Sequence, residues 1–378
     1  MKATTKLREL LKGDDIIITP GVYDCLTARL AETTGFSAVK LLGNVTCASL
    51  LGLPDLGLIG LNEMANHAKN VAAAVDIPVM VDADTGYSGG PLGIARTIKE
   101  FERAGIAGVG MEDQVTPKKC ALIPGGTPVV PIKEQVKKLQ AAVEAKEDPD
   151  FVISARTDAE SVNGLDDALN RIKAYEEVGI DMVGVAMSWV RKEGMRQRTL
   201  DALKRIRDAV KVPVNCMFMD EAIQVGNVTL DELKQIGFNM GGSNAVRYTV
   251  VKAVTEMLTI LKNEGSTKNY AHRLASLKEY EALVRLPEFL KMELESHTKH
   301  QQDNTHLRQL FRQCPVGNEA RRVRTDSNPA QEIPHDGRES EPLRQISEHQ
   351  RGSETTRECQ NQIKVMHAFP SSRRQSIW

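Results

Sequence analysis

Charged residues close three successive apolar runs of this chain. The run PVMVDAD (78–84) ends in Asp82 and Asp84, GVGMED (108–113) ends in Glu112 and Asp113, and FVISART (151–157) ends in Arg156 with Asp158 just beyond. If these runs are strands, residues at i and i+2 share a face, so Asp82 and Asp84 converge. Carboxylates gathered at one place repel one another unless a cation sits among them. Hard oxygen donors with no His or Cys cluster nearby favour Mg²⁺ or Mn²⁺ over zinc. The plainer use of such acids, capping the helix after a strand, accounts less well for three strands in succession.

A thiol is the second chemical candidate. Cys120 lies in PKKCALIPGG directly after Lys118 and Lys119, and neighbouring ammonium groups favour the thiolate and lower its pKa. Ile123-Pro124-Gly125-Gly126 offers a hinge for a closing loop. The bland alternative is a spare cysteine in a mobile loop. Only His67 and His272 precede His297, which argues against His-based acid/base chemistry or a Ser-His-Asp triad. Cys25, Cys47 and Cys216 stand in apolar surroundings and read as small core residues. With Cys314 and Cys359 they complete a set of six that contains no CxxC pair, the pattern of free thiols in a reducing compartment.

These groups need a scaffold. Eight apolar runs, at 16–21, 37–43, 78–84, 108–113, 151–157, 181–187, 213–219 and 238–244, alternate with amphipathic segments such as PLGIARTIKEFERAG and LDDALNRIKAYEEVG. That alternation predicts a parallel sheet closed into a (β/α)₈ barrel, with the chemistry at the C-terminal ends of the strands. An open doubly wound sheet is the alternative, and no GxGxxG follows the first strand to support it. Helical patterning continues after the eighth strand through HRLASLKEYEALVRLPEFLKMELESH, more than one barrel helix requires, and suggests packing against another subunit. The reading divides the 378 residues into a barrel over 1–265, a helical extension over 266–297 and a disordered tail over 298–378, where apolar periodicity is lost. Forty-nine basic against 50 acidic residues leave a net charge of -1, which argues against nucleic acid as a partner. No apolar run reaches the ~18 to 20 residues of a membrane span, and the start lacks a secretory signal. The expected setting is intracellular, in the cytoplasm or a mitochondrion.

The segments PGVYDCLTARLAE, ASLLGLPDLG, VDADTGYSGG, GVGMEDQ, PKKCALIPGG and ARTDA, in this order, resemble the isocitrate lyase/phosphoenolpyruvate mutase superfamily over about residues 5 to 295. Within it they are most similar to the 2-methylisocitrate and 2,3-dimethylmalate lyase branch. The resemblance implies a (β/α)₈ barrel whose last helix is swapped between subunits of a homotetramer. It implies that Asp84 binds Mg²⁺ directly with Asp55, Asp82 and Glu112 in support, and that Arg156 pairs with a substrate carboxylate. Tyr23 and Asp24 would line the opposite wall, with Gly43, Asn44 and Asn215 also at the substrate. Lys118-Lys119-Cys120 matches the first half of the family's Lys-Lys-Cys-Gly-His gating loop, so Lys119 and Cys120 join Arg156 as candidate catalytic residues and Cys120 becomes the proton donor. The implied activity is Mg²⁺-dependent cleavage of a branched 2-hydroxy di- or tricarboxylate into a 2-oxo acid and a second acid. Oxaloacetate hydrolysis, phosphonate formation and a catalytically weakened binding barrel are the alternatives. Four departures alter the substrate side: Leu42 replaces the family's Ser, Ala121 and Leu122 replace Gly-His, and Ala186 stands where many lyases have Glu.

Overall fold

The computed structural model describes residues 1–87, 90–119 and 126–295, all within the first of the two units, Met1–Gln301 and Gln302–Trp378, into which the chain divides. The expected tail lies outside the described residues, as does the loop around Cys120.

All eight expected strands form, and they close into one parallel barrel in sequence order. They are β1 (Ile17–Val22), β2 (Val39–Leu41), β3 (Val79–Asp82), β4 (Gly108–Glu112), β5 (Val152–Thr157), β6 (Met182–Val185), β7 (Val214–Cys216) and β8 (Met240–Ser243). Seven of them are shorter than their apolar runs, and β1 is the expected run shifted by one residue. β2 and β7 keep only three residues each, and β2 stops early because Leu42 is already the residue before the helix Gly43–Leu51 and turns the chain away from the sheet. Among the described residues no helix is long and apolar enough to cross a membrane.

Strand alternation divides the side chains into two populations. Val39, Leu41, Val81, Val109, Met111, Ile153, Ala155, Val183 and Val185 face outward and build the main core with the surrounding helices. The inward set starts with an apolar layer at the N-terminal ends of the strands, where Ile17, Met80, Val152, Met182 and Met240 pack against Leu7 and Leu11. Those two leucines come from the helix Ala3–Lys12, which the strand-and-helix patterning of the sequence did not register and which plugs the bottom of the barrel. With one end sealed by hydrocarbon, polar inward residues are confined to the other.

The same alternation separates the two acids that end β4. Glu112 points into the barrel, whereas Asp113 points outward and is 0% exposed. Asp113 accepts hydrogen bonds from Thr157 Oγ1 at 2.7 Å, Tyr175 Oη at 2.8 Å, the Asp158 amide at 3.0 Å and Arg171 Nη1 at 3.2 Å. It thus ties the ends of β4 and β5 to the helix Leu165–Glu176, a structural duty unlike that of its neighbour. Breaking a buried ion pair from one side leaves an uncompensated charge. Asp113→Ala is therefore expected to lower unfolding stability by about 3 to 5 kcal/mol in urea titrations followed by circular dichroism, and a loss under about 1 kcal/mol would show that water replaces the carboxylate.

Candidate active site

A cavity opens at the C-terminal mouth of the barrel. Its floor carries charge from successive strands, Lys40 of β2, Asp82 of β3, Glu112 of β4 and Arg156 of β5, while Leu42, Cys216, Met217 and Phe218 form an apolar wall. Each charged residue is at an inward position of its strand. The register places Glu112 directly beside Arg156, and Arg156 Nη1 meets Glu112 Oε2 at 2.8 Å while its Nη2 donates to Asp158 Oδ1 at 2.8 Å. Asp158 is held from behind by Gln114 Nε2 at 3.1 Å, and Gln114 Oε1 accepts the Lys119 amide at 2.8 Å. One buried glutamine therefore connects the guanidinium to the start of the loop that carries Cys120.

Lys118 is 3% exposed, and its ammonium lies 2.6 Å from both Asp55 and Asp84. Burial alone would lower its pKa, but Glu112, Asp84, Asp82 and Asp55 outweigh that and keep it firmly cationic. This changes the expectation for the loop. The Lys118 charge is committed inside the barrel, whereas Lys119 is exposed and lines the cavity mouth.

The carboxylates are unequal. Burial pushes the Asp84 carboxyl up to about 7, with Asp82 and Asp55 adding to the effect and Lys118 opposing it. Burial likewise raises Glu112 well above the usual range against the pull of Arg156. Burial would raise Asp82 as well, yet Lys40, Lys118 and Arg156 together hold it below the ordinary value. Asp84 adopts φ 49°, a left-handed conformation that costs a non-glycine residue energy and recurs at functional sites. Gly43 explains how the acids come so near one another: a Cβ there would sit 3.0 Å from Asp84 Oδ1 and 3.6 Å from Asp82 Oδ2. The first residue of the helix Gly43–Leu51 thus packs against both carboxylates, where the helix dipole favours negative charge.

These donors suit a divalent cation. All four are hard carboxylate oxygens, Glu112 Oε1 is buried without a hydrogen-bond partner, and the raised Asp84 and Glu112 are groups that a nearby cation would return to their ionised forms. Among the described residues no three acids close on one point as a complete protein cage would.

The structure brings Asp55, Asp82, Glu112, Arg156, Lys119, Asn44 and Asn215 together around the cavity. Asp84 and Lys118, paired with each other, line a second cavity, and Gly43 packs against Asp82 and Asp84. Tyr23 lines an adjoining cavity that shares Asn44. Asp24 is placed elsewhere: its carboxylate accepts from the Thr27 amide at 2.7 Å and caps the helix Cys25–Thr33. Cys120 lies outside the described residues. Cys216, read as a core residue, is buried with its thiol pushed up to about 12 by that burial, although it also touches the cavity. Sequence reasoning missed Lys40, Arg247 and Gln114. Lys40 was detectable as the one charged side chain within SAVKLLG, and Arg247 lies in the first turn of the helix Ala245–Glu264, directly beyond the C-terminal end of β8.

Comparison with known proteins agrees with this geometry. The sequence model of the phosphoenolpyruvate phosphomutase family matches residues 7–259. The chain is 35% identical over 294 residues to 2,3-dimethylmalate lyase of Eubacterium barkeri, covering 78% of this chain and 98% of that one. It is 38% identical over 282 residues to 2-methylisocitrate lyase of Bacillus subtilis, covering 72% and 86%. Among solved structures, phosphoenolpyruvate phosphomutase from Streptomyces platensis subsp. rosaceus superimposes with a TM-score of 0.71 at 29% identity, covering 78% of this chain and 99% of that one. Oxaloacetate acetylhydrolase bound to 3,3-difluorooxalacetate gives 0.68 at 30%, covering 78% and 97%. Phosphonopyruvate hydrolase bound to oxalate and Mg²⁺ gives 0.68 at 26%, covering 78% and 99%. The closed barrel, the acids and arginine at its mouth and these similarities lead to one assignment: the chain belongs to the phosphoenolpyruvate mutase/isocitrate lyase superfamily.

Proposed function

We propose that the protein is a Mg²⁺-dependent carbon-carbon lyase that cleaves a branched 2-hydroxy di- or tricarboxylate, of the 2-methylisocitrate kind, into a 2-oxo acid and a second carboxylic acid. The observation that carries this reading is the pairing of a charged floor, Asp82, Glu112 and Arg156, with an apolar wall, Leu42, Met217 and Phe218, in one cavity. Charge on one side suits carboxylates, and hydrocarbon on the other suits an alkyl branch. The lyase relatives at 35% and 38% identity support the same reaction class.

Asp84, with Asp82, Asp55 and Glu112 around it, would hold the cation. Mg²⁺ bound there supplies positive charge to substrate oxygens that become more negative as the bond breaks. Arg156, fixed by Glu112 and Asp158, orients a substrate carboxylate through a planar donor fork. A base takes the proton of the substrate hydroxyl, its carbon becomes the carbonyl of the 2-oxo acid, and the electron pair of the broken carbon-carbon bond stays on the departing acid. The Cys120 thiol gives its proton to that carbon, and Lys119 beside it lowers the cost of the resulting thiolate. Leu42 and the apolar wall exclude water that would otherwise compete as the proton source.

A second reading, hydrolysis of oxaloacetate, is favoured by the oxaloacetate acetylhydrolase likeness. Assay of the purified protein with Mg²⁺ against a panel of 2-hydroxy and 2-oxo acids, with EDTA as control, separates the two. Release of a 2-oxo acid from a branched hydroxy acid is expected, and acetate plus oxalate from oxaloacetate as the sole activity would favour the hydrolase.

The protein acts as an oligomer, expected to be a tetramer. The helix Ala245–Glu264 has no buried residue, and Tyr248, Val251, Leu258, Leu277 and Phe289 are exposed along the C-terminal helices. So large an apolar surface is unusual on a monomer, and exchange of these helices between copies would cover it. Sedimentation of the wild type should give a tetramer and Val251→Glu with Leu258→Glu a smaller species; a monomeric wild type overturns this.

Two substitutions test the chemistry. Asp84→Ala is expected to abolish Mg²⁺ binding in calorimetry, because water does not replace a charged ligand; unchanged affinity removes Asp84 from the metal site. Cys120→Ser substitutes a hydroxyl far less acidic than a thiol of reference pKa ~8.5, so kcat should fall by about 10² to 10⁴ with KM changed far less. Wild-type turnover in that variant would move the hydrolase reading ahead.

A further inference from the structure

Lys40, like Arg247, is a charged residue of the cavity that the mechanism leaves without a task. It stands at the centre of β2, between Val39 and Leu41, which both face the outer core. Its own side chain turns inward and crosses the barrel toward β4. A Cβ on Gly110 would lie 3.6 Å from Lys40 Nζ, so a longer side chain at 110 would occupy the place of the ammonium.

The other buried or half-buried cations of the mouth are all engaged by protein. Lys118 is held by Asp55 and Asp84, Arg156 by Glu112 and Asp158, and Arg247 by Asn44 Oδ1 at 2.7 Å with its guanidinium over the Tyr248 ring. Among the described residues Lys40 makes no hydrogen bond and no ion pair within 4 Å. Burial lowers its pKa, Asp82 and Glu112 oppose that through space, and Arg156 and Lys118 add to it, all without contact. A cation drawn out of bulk water into a cavity and left without a contact partner is expensive, and it becomes favourable when the ligand brings the anion. Lys40 also faces the same cavity as Arg156, so two separate cations confront a bound molecule.

We propose that Lys40 binds the second carboxylate of the substrate, the first being held by Arg156, and thereby sets a preference for acids with two carboxylates over acids with one. This rests on the lyase reading only in taking the ligand to be a carboxylic acid. Lys40 is a specificity-determining residue in this account. It touches a carboxylate remote from the bond that breaks, so its loss weakens binding of one substrate class.

The test uses the full chain saturated with Mg²⁺. Calorimetry would measure 3,3-difluorooxaloacetate, with two carboxylates, and pyruvate, with one, against the wild type, Lys40→Met, Lys40→Gln and Lys40→Arg, with circular dichroism melts to verify folding. The wild type should prefer the dicarboxylate. Lys40→Met and Lys40→Gln should each lose about 30-fold or more in dicarboxylate affinity, as expected when one partner of a buried charge pair is removed, while pyruvate affinity stays within about 3-fold. Lys40→Arg, which keeps the charge, should recover most of the loss. Three results overturn the proposal: a wild type without the preference, neutral variants that retain it, or equal losses for both ligands, which would mean that Lys40 only balances Asp82. If the Lys40-dependent preference is found and no acid is cleaved by the same preparation, the lyase reading fails and this one stands.

Discussion

Charge crowded into a poorly solvated space is costly unless each group finds an opposite charge or a hydrogen bond, and the mouth of this barrel holds four carboxylates within a few strands of one another. Lys118 answers two of them at 2.6 Å each, and Arg156 answers a third at 2.8 Å. Burial, with the neighbouring carboxylates adding to it, still raises Asp84 and Glu112. The rest of the structure follows from keeping this arrangement in place. Such an assembly is weak as a source of stability, so its retention is a matter of chemistry: it keeps strong donors and acceptors oriented before any ligand arrives.

Two outer supports make that orientation rigid. Asp113 locks the ends of β4 and β5 onto the helix Leu165–Glu176 through four hydrogen bonds. Asp158 and Gln114 hold Arg156 and the Lys119 backbone as one connected unit. A guanidinium pinned from two sides loses little rotamer freedom on meeting a carboxylate, and a loop anchored to the same network begins from a fixed point. The barrel contributes its own rigidity, since the apolar layer packed against Leu7 and Leu11 fills the lower interior and leaves polar groups only the upper one.

The cavity combines this charged floor with an apolar wall, and the mixture narrows the ligand. A molecule that satisfies both faces carries carboxylates and a hydrocarbon branch, and the Lys40 ammonium adds a second anionic position opposite Arg156. Leu42 bears directly on this because it both ends β2 and lines the wall, so the residue that turns the chain also sets the polarity beside the substrate.

What the amino-acid sequence determined by itself was the periodic part. Eight apolar runs with charged residues at three successive ends specify parallel strands and a polar mouth, because alternation with period 2 dictates which side chains share a face. Asp82, Glu112 and Arg156 were legible for that reason, since each sits at an inward position of its own strand. Lys40 carried the same signal within a run whose flanking residues Val39 and Leu41 are apolar and face the outer core. Tertiary structure alone decided the rest. Asp113 differs from Glu112 only by pointing the other way at the end of β4, Lys118 turns into the barrel to meet Asp55 and Asp84, Asp24 caps a helix, and Arg247 meets Asn44, some 200 residues earlier in the chain. Each of these depends on which distant groups become neighbours when the sheet closes, and closure is a property of strand register and packing that no local window of residues contains.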